Sequence, residues 1–168
     1  MRVRAAPGQL RGFTLIELLV VVAIIVVIVG LAGAQLMRGP ADVVREESEH
    51  LALLLRAARE EAILQGRVFA FGAGRESYRF LRLERNGRLK VTGGDELLRP
   101  QRLAAGIVIE AFQVEGAAET AQGTAQDDGV VFLPSGELTA FRIVLKSGGV
   151  RWSVVGAPDG TIRARAVS

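Results

Sequence analysis

The sequence predicts an α+β protein: a long N-terminal α-helix, membrane-spanning in its first half, packed on a C-terminal antiparallel β-sandwich or curled sheet. Three observations predict it. Residues 13–34 are apolar apart from Thr14, Glu17 and small side chains, and residues 18–36 carry no charge. Residues 51–62 then keep a helical apolar spacing. From Val68 onward the apolar period shortens to two, in short runs divided by turn residues.

Taken in order, the first twelve residues hold Arg2, Arg4 and Arg11 and no acid. Cationic residues before an apolar span stay on the cytoplasmic side, so the N-terminus is expected inside and the C-terminal part outside. The apolar run that follows is as long as a bilayer-spanning helix requires, roughly 20 residues. It lifts the mean hydropathy of the 168-residue chain to +0.30. An ordinary secretory signal places its small-residue cleavage site after a shorter apolar core, whereas here Gly12 precedes the run. A cut after Gly12 would keep the helix. Glu17 is the exception inside it, and a carboxylate in hydrocarbon costs a few kcal/mol by insertion scales, roughly 2.5–3.5 at the centre of a span, unless it is paired. After such a cut the new α-amino group of Phe13 would supply the positive charge one turn away, on the same chain or a neighbour.

The isoelectric point of about 10.1 suggests a nucleic-acid partner until the charge is divided. Of 21 basic residues, three lie in residues 1–12, which leaves 18 against 18 acids. A neutral body has little phosphate-driven affinity. With no cysteine and one histidine, His50, neither a disulfide framework nor a Cys- or His-based metal site is expected, and no cofactor is implied.

Gly39-Pro40 can kink or locally unwind the helix, which then resumes. Leu51, Leu54, Leu55, Ala58 and Ala62 share one face, with Arg45, Glu46, Glu49, Arg56, Arg59 and Glu60 over much of the rest. A helix from Phe13 to Gln65 would be roughly 80 Å long, so its second half must pack on something, and the protein's own sheet is the expected support. Strands are expected at 68–71, 78–83, 89–91, 107–112, 130–133, 140–145, 150–155 and 161–167. Asn86-Gly87, Ser147-Gly148-Gly149 and Pro158-Asp159-Gly160 are expected to make tight connections. Residues 116–129, rich in Ala, Gly, Thr, Gln and Asp, read as a surface loop.

The run Arg11-Gly12-Phe13-Thr14-Leu15-Ile16-Glu17-Leu18-Leu19-Val20 resembles the processing motif of type IV pilins and type II secretion pseudopilins. The turn Phe132-Leu133-Pro134-Ser135-Gly136, followed by strands, resembles that of the GspH and FimT branch of minor pseudopilins. The resemblance implies that a membrane prepilin peptidase cuts between Gly12 and Phe13 and methylates Phe13. It implies too that Glu17 neutralises a neighbouring subunit's amino terminus during assembly. Four segments follow: a leader at 1–12, a transmembrane helix at 13–37, a periplasmic amphipathic stem at 38–66 and a β head at 67–168. The chain would be a single-pass protein of a bacterial inner membrane, its N-terminus cytoplasmic and its head periplasmic. Its partners would be the prepilin peptidase and the other major and minor pseudopilins of one fibre.

An enzyme is not expected, and no small-molecule substrate is implied. The acidic pairs Asp95-Glu96 and Asp127-Asp128 read as solvated loop carboxylates, Ser135 and Ser147 lack a base, and Gly72-Ala73-Gly74 and Gly93-Gly94 match no phosphate loop. The function implied is that of a minor pseudopilin assisting export of folded proteins across the outer membrane. The competing reading is a FimT- or FimU-like minor pilin active in pilus assembly or DNA uptake, with Arg75, Arg79, Arg82, Arg85, Arg88 and Lys90 as a basic patch. Strand alternation splits that patch between two faces, and Glu76 and Glu84 dilute it, so nucleic acid is not expected as a partner.

Overall fold

The structure, a computed structural model, describes residues 15–36, 39–92, 97–116 and 129–167, with the side chains of the first helix described as far as residue 28. The chain divides into two compact units, Met1–Arg38 and Gly39–Ser168. In the first, helix α1 spans Leu15–Leu36 with Glu17 in its first turn. Among the described residues no helix is long and apolar enough to cross a membrane. The side chains described in α1 end at Ile28, short of the roughly 20 residues a span needs.

The second unit begins with helix α2, Pro40–Gln65. Gly39 is extended, at φ −72° and ψ 161°, and Pro40 takes the first helical position, where its missing N–H costs nothing. The helix ends at Gly66, whose φ of 61° is open to glycine. There the Arg67 N–H bonds to the Ala62 carbonyl and the Gly66 N–H to that of Ile63, closing two of the last free carbonyls. Val44, Ser48, Leu51, Leu55, Ala58 and Ala62 recur at helical spacing and are all fully buried.

Among the described residues nine strands follow: β1 Phe69–Ala73, β2 Ser77–Leu83, β3 Leu89–Val91, β4 Gln101–Arg102, β5 Ile107–Val114, β6 Val130–Phe132, β7 Phe141–Ser147, β8 Val150–Gly156 and β9 Ile162–Ala166. They form two antiparallel sheets. The first runs β3-β2-β1-β6, with β4 sharing the β3 side of β2 at its other end. The second runs β5-β7-β8-β9. All eight expected strands are present, while β4, two residues long after Pro100, was not expected.

The tight turns fall where turn residues stand. Ser147 pairs with Val150 across Gly148-Gly149, and only Gly148 has positive φ, the pattern of a type II′ hairpin. Its apex rests on the start of α2, with an added Cβ at Gly148 3.4 Å from Pro40 Cβ. α2 lies against β7, β8 and β9 and also touches β1 and β6. Phe71 of β1 meets Phe112 of β5 edge-on at 5.9 Å, so one core joins both sheets and the helix.

Two arginines on the side of the helix away from its apolar stripe also tie it to the head's backbone. Arg56 donates from Nε and Nη2 to the Ile162 carbonyl at 3.1 and 3.0 Å. Arg59 donates from Nε to the Gly136 carbonyl at 2.6 Å. It also lies so close over the β8–β9 turn that a Cβ at Gly160 would stand 2.3 Å from its Nε. A long aliphatic stem along the helix lets each guanidinium reach a carbonyl at the edge of the core.

Candidate functional site

Gly12 and Phe13 lie outside the described residues; Glu17 occupies the first turn of α1. That turn is where a carboxylate is favoured, because the helix dipole presents its positive end there. Around and beyond it the chain forms helix because Leu, Ile, Val and Ala recur without a breaker until Gly30. Every described side chain of α1 is exposed, including twelve large apolar ones from Leu15 to Ile28. Burying twelve such side chains would contribute on the order of 20–30 kcal/mol. This is the largest uncovered apolar surface among the described residues, and it starts one turn after the Gly12-Phe13 junction. A contiguous exposed apolar surface of this size favours association with another apolar surface.

No catalytic constellation appears among the described residues of the second unit. Among the described residues no group of three or more His, Cys, Asp or Glu side chains could hold a metal ion. Ser135 Oγ is 3.2 Å from Glu137 Oε2 within its own turn, Ser147 is buried at the hairpin, and His50 is exposed on α2. Asp95-Glu96, Asp127-Asp128 and residues 117–128 of the expected loop lie outside the described residues. Tyr78 is buried, its hydroxyl 3.2 Å from Gln101 Oε1, and burial together with the Glu47 carboxylate pushes its pKa upward. It therefore stays a neutral core phenol, stacked at 5.9 Å on Phe71.

The expected basic patch at residues 75–90 is split as the alternation implies. Tyr78 and Phe80 are buried while Arg79 is exposed on the opposite face of β2. Glu84 Oε1 lies 3.9 Å from Arg82 Nη2 and 3.7 Å from Lys90 Nζ, drawing both charges toward one acid.

A different basic surface emerges from strand register, and the sequence reading missed it. On the second sheet Phe141, Ile143, Leu145, Val154 and Ile162 point into the core. The residues between them, Arg142, Lys146, Arg151, Arg163 and Arg165, point away from α2. Arg142 and Arg163 flank Val155 in one cross-strand row, Ser153 pairs with Arg165 in the next, and Lys146 pairs with Arg151 in a third. Like charges directly opposite repel, and the fold answers with a bulge. The β5–β7 register shifts between Ile109 and Ala111, which leaves Glu110 as the extra residue. Its carboxylate meets Lys146 Nζ at 3.0 Å, Arg151 Nη2 at 3.0 Å and Arg151 Nε at 2.5 Å. Hydrogen bonds from Arg151, then from Lys146, lower the Glu110 pKa to about 2. The available signal was Arg163-x-Arg165, an alternation that puts both arginines on one side of a strand.

An apolar N-terminal helix followed in the chain by a two-sheet antiparallel head defines the class by fold: an α+β protein with its helices at the N-terminus. Comparison with known proteins is specific. Residues 47–160 match the family model described as type II transport protein GspH, and residues 10–33 match the prokaryotic N-terminal methylation motif. The chain is 35% identical over 148 residues to the type II secretion system protein H of Pseudomonas aeruginosa, covering 83% of this chain and 84% of that protein. Its fold is similar to the crystal structure of the minor pseudopilin EpsH from the type II secretion system of Vibrio cholerae. That match has a TM-score of 0.63 and 23% identity, over 77% of this chain and 98% of the other. It is less similar to the type IV minor pilin FimU of Pseudomonas aeruginosa, at a TM-score of 0.51 and 16% identity, over 73% and 87% of the two chains. The chain belongs to the GspH family of type II transport proteins.

Proposed function

We propose that this chain is a minor pseudopilin of a type II secretion system. Its leader is cut after Gly12, Phe13 is methylated, and α1 anchors it in the inner membrane with the head in the periplasm. The observation that carries the reading is the uncovered apolar surface of α1 beginning one turn after the Gly12-Phe13 junction, within a matched N-terminal methylation motif. The sequence Leu15–Leu36 has one charged residue in 22, and at 1.5 Å per residue it reaches roughly 33 Å, about the thickness of a hydrocarbon core. Glu17 stands four residues after the new amino terminus in sequence, and its carboxylate pairs with the amino terminus of a neighbouring subunit during assembly. The partners are therefore the other pseudopilins of the fibre. Family membership supports a structural subunit over an enzyme.

The test is intact mass and N-terminal sequencing of the protein from membranes of its host, with and without the prepilin peptidase. A chain that begins at methylated Phe13 only when the peptidase is present is the expected result. A chain that keeps residues 1–12 in both strains refutes the assignment. The minor type IV pilin reading has the FimU fold likeness in its favour, and loss of pili with intact secretion on deletion would select it.

A further inference from the structure

We infer that the outward face of the second sheet is a docking surface for the acidic stem-helix side of a neighbouring pseudopilin. The inference rests on the chain's being a pseudopilin and goes beyond it by naming a second contact, made by the head and distinct from the packing of α1.

Charge on the head is segregated. Without Arg2, Arg4, Arg11, Arg38 and Glu17, the unit Gly39–Ser168 keeps 17 basic and 17 acidic residues, so it has no net charge. Yet the outward side of β7, β8 and β9 carries five bases; Glu110 is engaged with Lys146 and Arg151, and Asp159 of the β8–β9 turn lies within electrostatic reach of Arg163. Among the described residues Arg142, Arg163 and Arg165 are exposed and form no ion pair. Residues two apart on a strand are about 7 Å apart and neighbouring strands about 4.8 Å, so the three guanidinium groups span a patch roughly 10 Å across.

Its composition favours a protein occupant. The patch is arginine with valine at its centre, half-buried Val144 and Val155 lying between the charges. Interfaces between proteins enrich arginine and deplete lysine, because a planar guanidinium packs on apolar groups while it binds carboxylates. A nucleic acid would instead meet a neutral body and the Glu110 carboxylate held by Lys146 and Arg151 on the same sheet face. The complementary surface exists in the fold: α2 covers the opposite side of this sheet, and its exposed side carries Asp42, Glu46, Glu49 and Glu60 against Arg45 and Arg56, with Glu49 paired to Arg45, so that side is acidic on balance. A basic face and an acidic face on opposite sides of one layer suit head-to-tail contacts, which propagate as fibres do. Complementary charge also sets register and speeds encounter.

The experiment uses the full chain in its native host, with a photo-crosslinking residue at exposed Gln113, in the cross-strand row of Arg142. The expected adduct is with another pseudopilin, mapped to the exposed side of its stem helix. Arg142→Glu/Arg163→Glu/Arg165→Glu should lower its yield about tenfold or more, the effect of losing at least one interface hot spot. Membrane level and protease resistance of the head report folding, and the single variant Arg165→Glu, expected to lower the yield about threefold, serves if the triple variant fails to accumulate. A pseudopilin adduct undiminished by charge reversal, adducts only with nucleic acid or with proteins that are not pseudopilins, or no adduct at all overturns the docking face. Deletion of the chain separates the two claims. A secretion defect on deletion with full secretion by the triple variant refutes the docking face alone, whereas normal secretion on deletion refutes the function on which it rests.

Discussion

Replacing Gly156 with alanine would put a methyl group where the Phe141 ring already lies. The two residues are cross-strand partners on β8 and β7. The added Cβ would stand 2.0 Å from Phe141 Cε1, 2.6 Å from Cδ1 and 2.7 Å from Cζ. Carbon atoms rest about 3.5–4.0 Å apart, so the ring must retreat by about 1.5 Å or the strands must separate. Phe141 is 4% exposed and belongs to the common core, which leaves it nowhere to retreat without displacing neighbours. Overpacking costs about 1–3 kcal/mol, and full loss of a buried phenylalanine about 3–5. A destabilisation of about 3 kcal/mol is expected. The unit Gly39–Ser168 holds the whole core cluster, so the head of about 130 residues is the object to measure. At about 2.1 cal/mol/K per residue its unfolding entropy gives a fall in Tm of about 10 °C. Urea and thermal melts should be repeated on Phe141→Leu, at about 1 kcal/mol, and on the double variant, since leucine vacates the space the methyl group needs. The pair should be less destabilised than the sum of its parts by about 1.5 kcal/mol. Strict additivity, or a Gly156→Ala cost under about 1 kcal/mol, refutes the reasoning.

Three further outcomes are expected. Arg59→Ala removes the bond to the Gly136 carbonyl and should cost about 1–2 kcal/mol in the same melts, with Arg59→Lys recovering less than half; an unchanged midpoint would show that the contact contributes nothing. Glu110 has a folded pKa below its unfolded value, so its stabilisation is present above pH about 4.5 and is lost as pH falls toward about 2. Wild type should therefore lose Tm faster than Glu110→Gln across that interval, and parallel curves would contradict the assignment. Glu17→Ala should insert into the membrane and be processed as wild type, yet enter the fibre at least about tenfold less, as loss of an ion pair of a few kcal/mol implies; normal incorporation by shear fractionation removes Glu17 from assembly.

Much of the fold was legible because it is written in local periods. Leu51, Leu54, Leu55, Ala58 and Ala62 were expected on one face and are all buried, and the eight expected strands lie within one or two residues of those found. β4 escaped because Gln101-Arg102 is too short to alternate and owes its pairing to Ser77 and Tyr78. The carbonyl bonds of Arg56 and Arg59 escaped for a related reason. Their acceptors lie 106 and 77 residues away in sequence, and a helical wheel contains no information about them. The basic face of the second sheet required register, since Arg142 and Arg163 become neighbours only through Val155. At the N-terminus Glu17 stands in the helix the sequence implied, while Gly12 and Phe13 lie outside the described residues.

The Arg56 bond to the Ile162 carbonyl joins the head's opening helix to its final strand. A chain that emerges N-terminus first, from a ribosome or through a membrane, presents α2 early and β9 last. Contacts of such high sequence separation form late and slowly. Until β9 arrives, the apolar side of α2 has no complete cover, and the head is held open by the order of its own synthesis. Protease resistance of the head thus reports that β9 has docked on α2, the last step in closing its core.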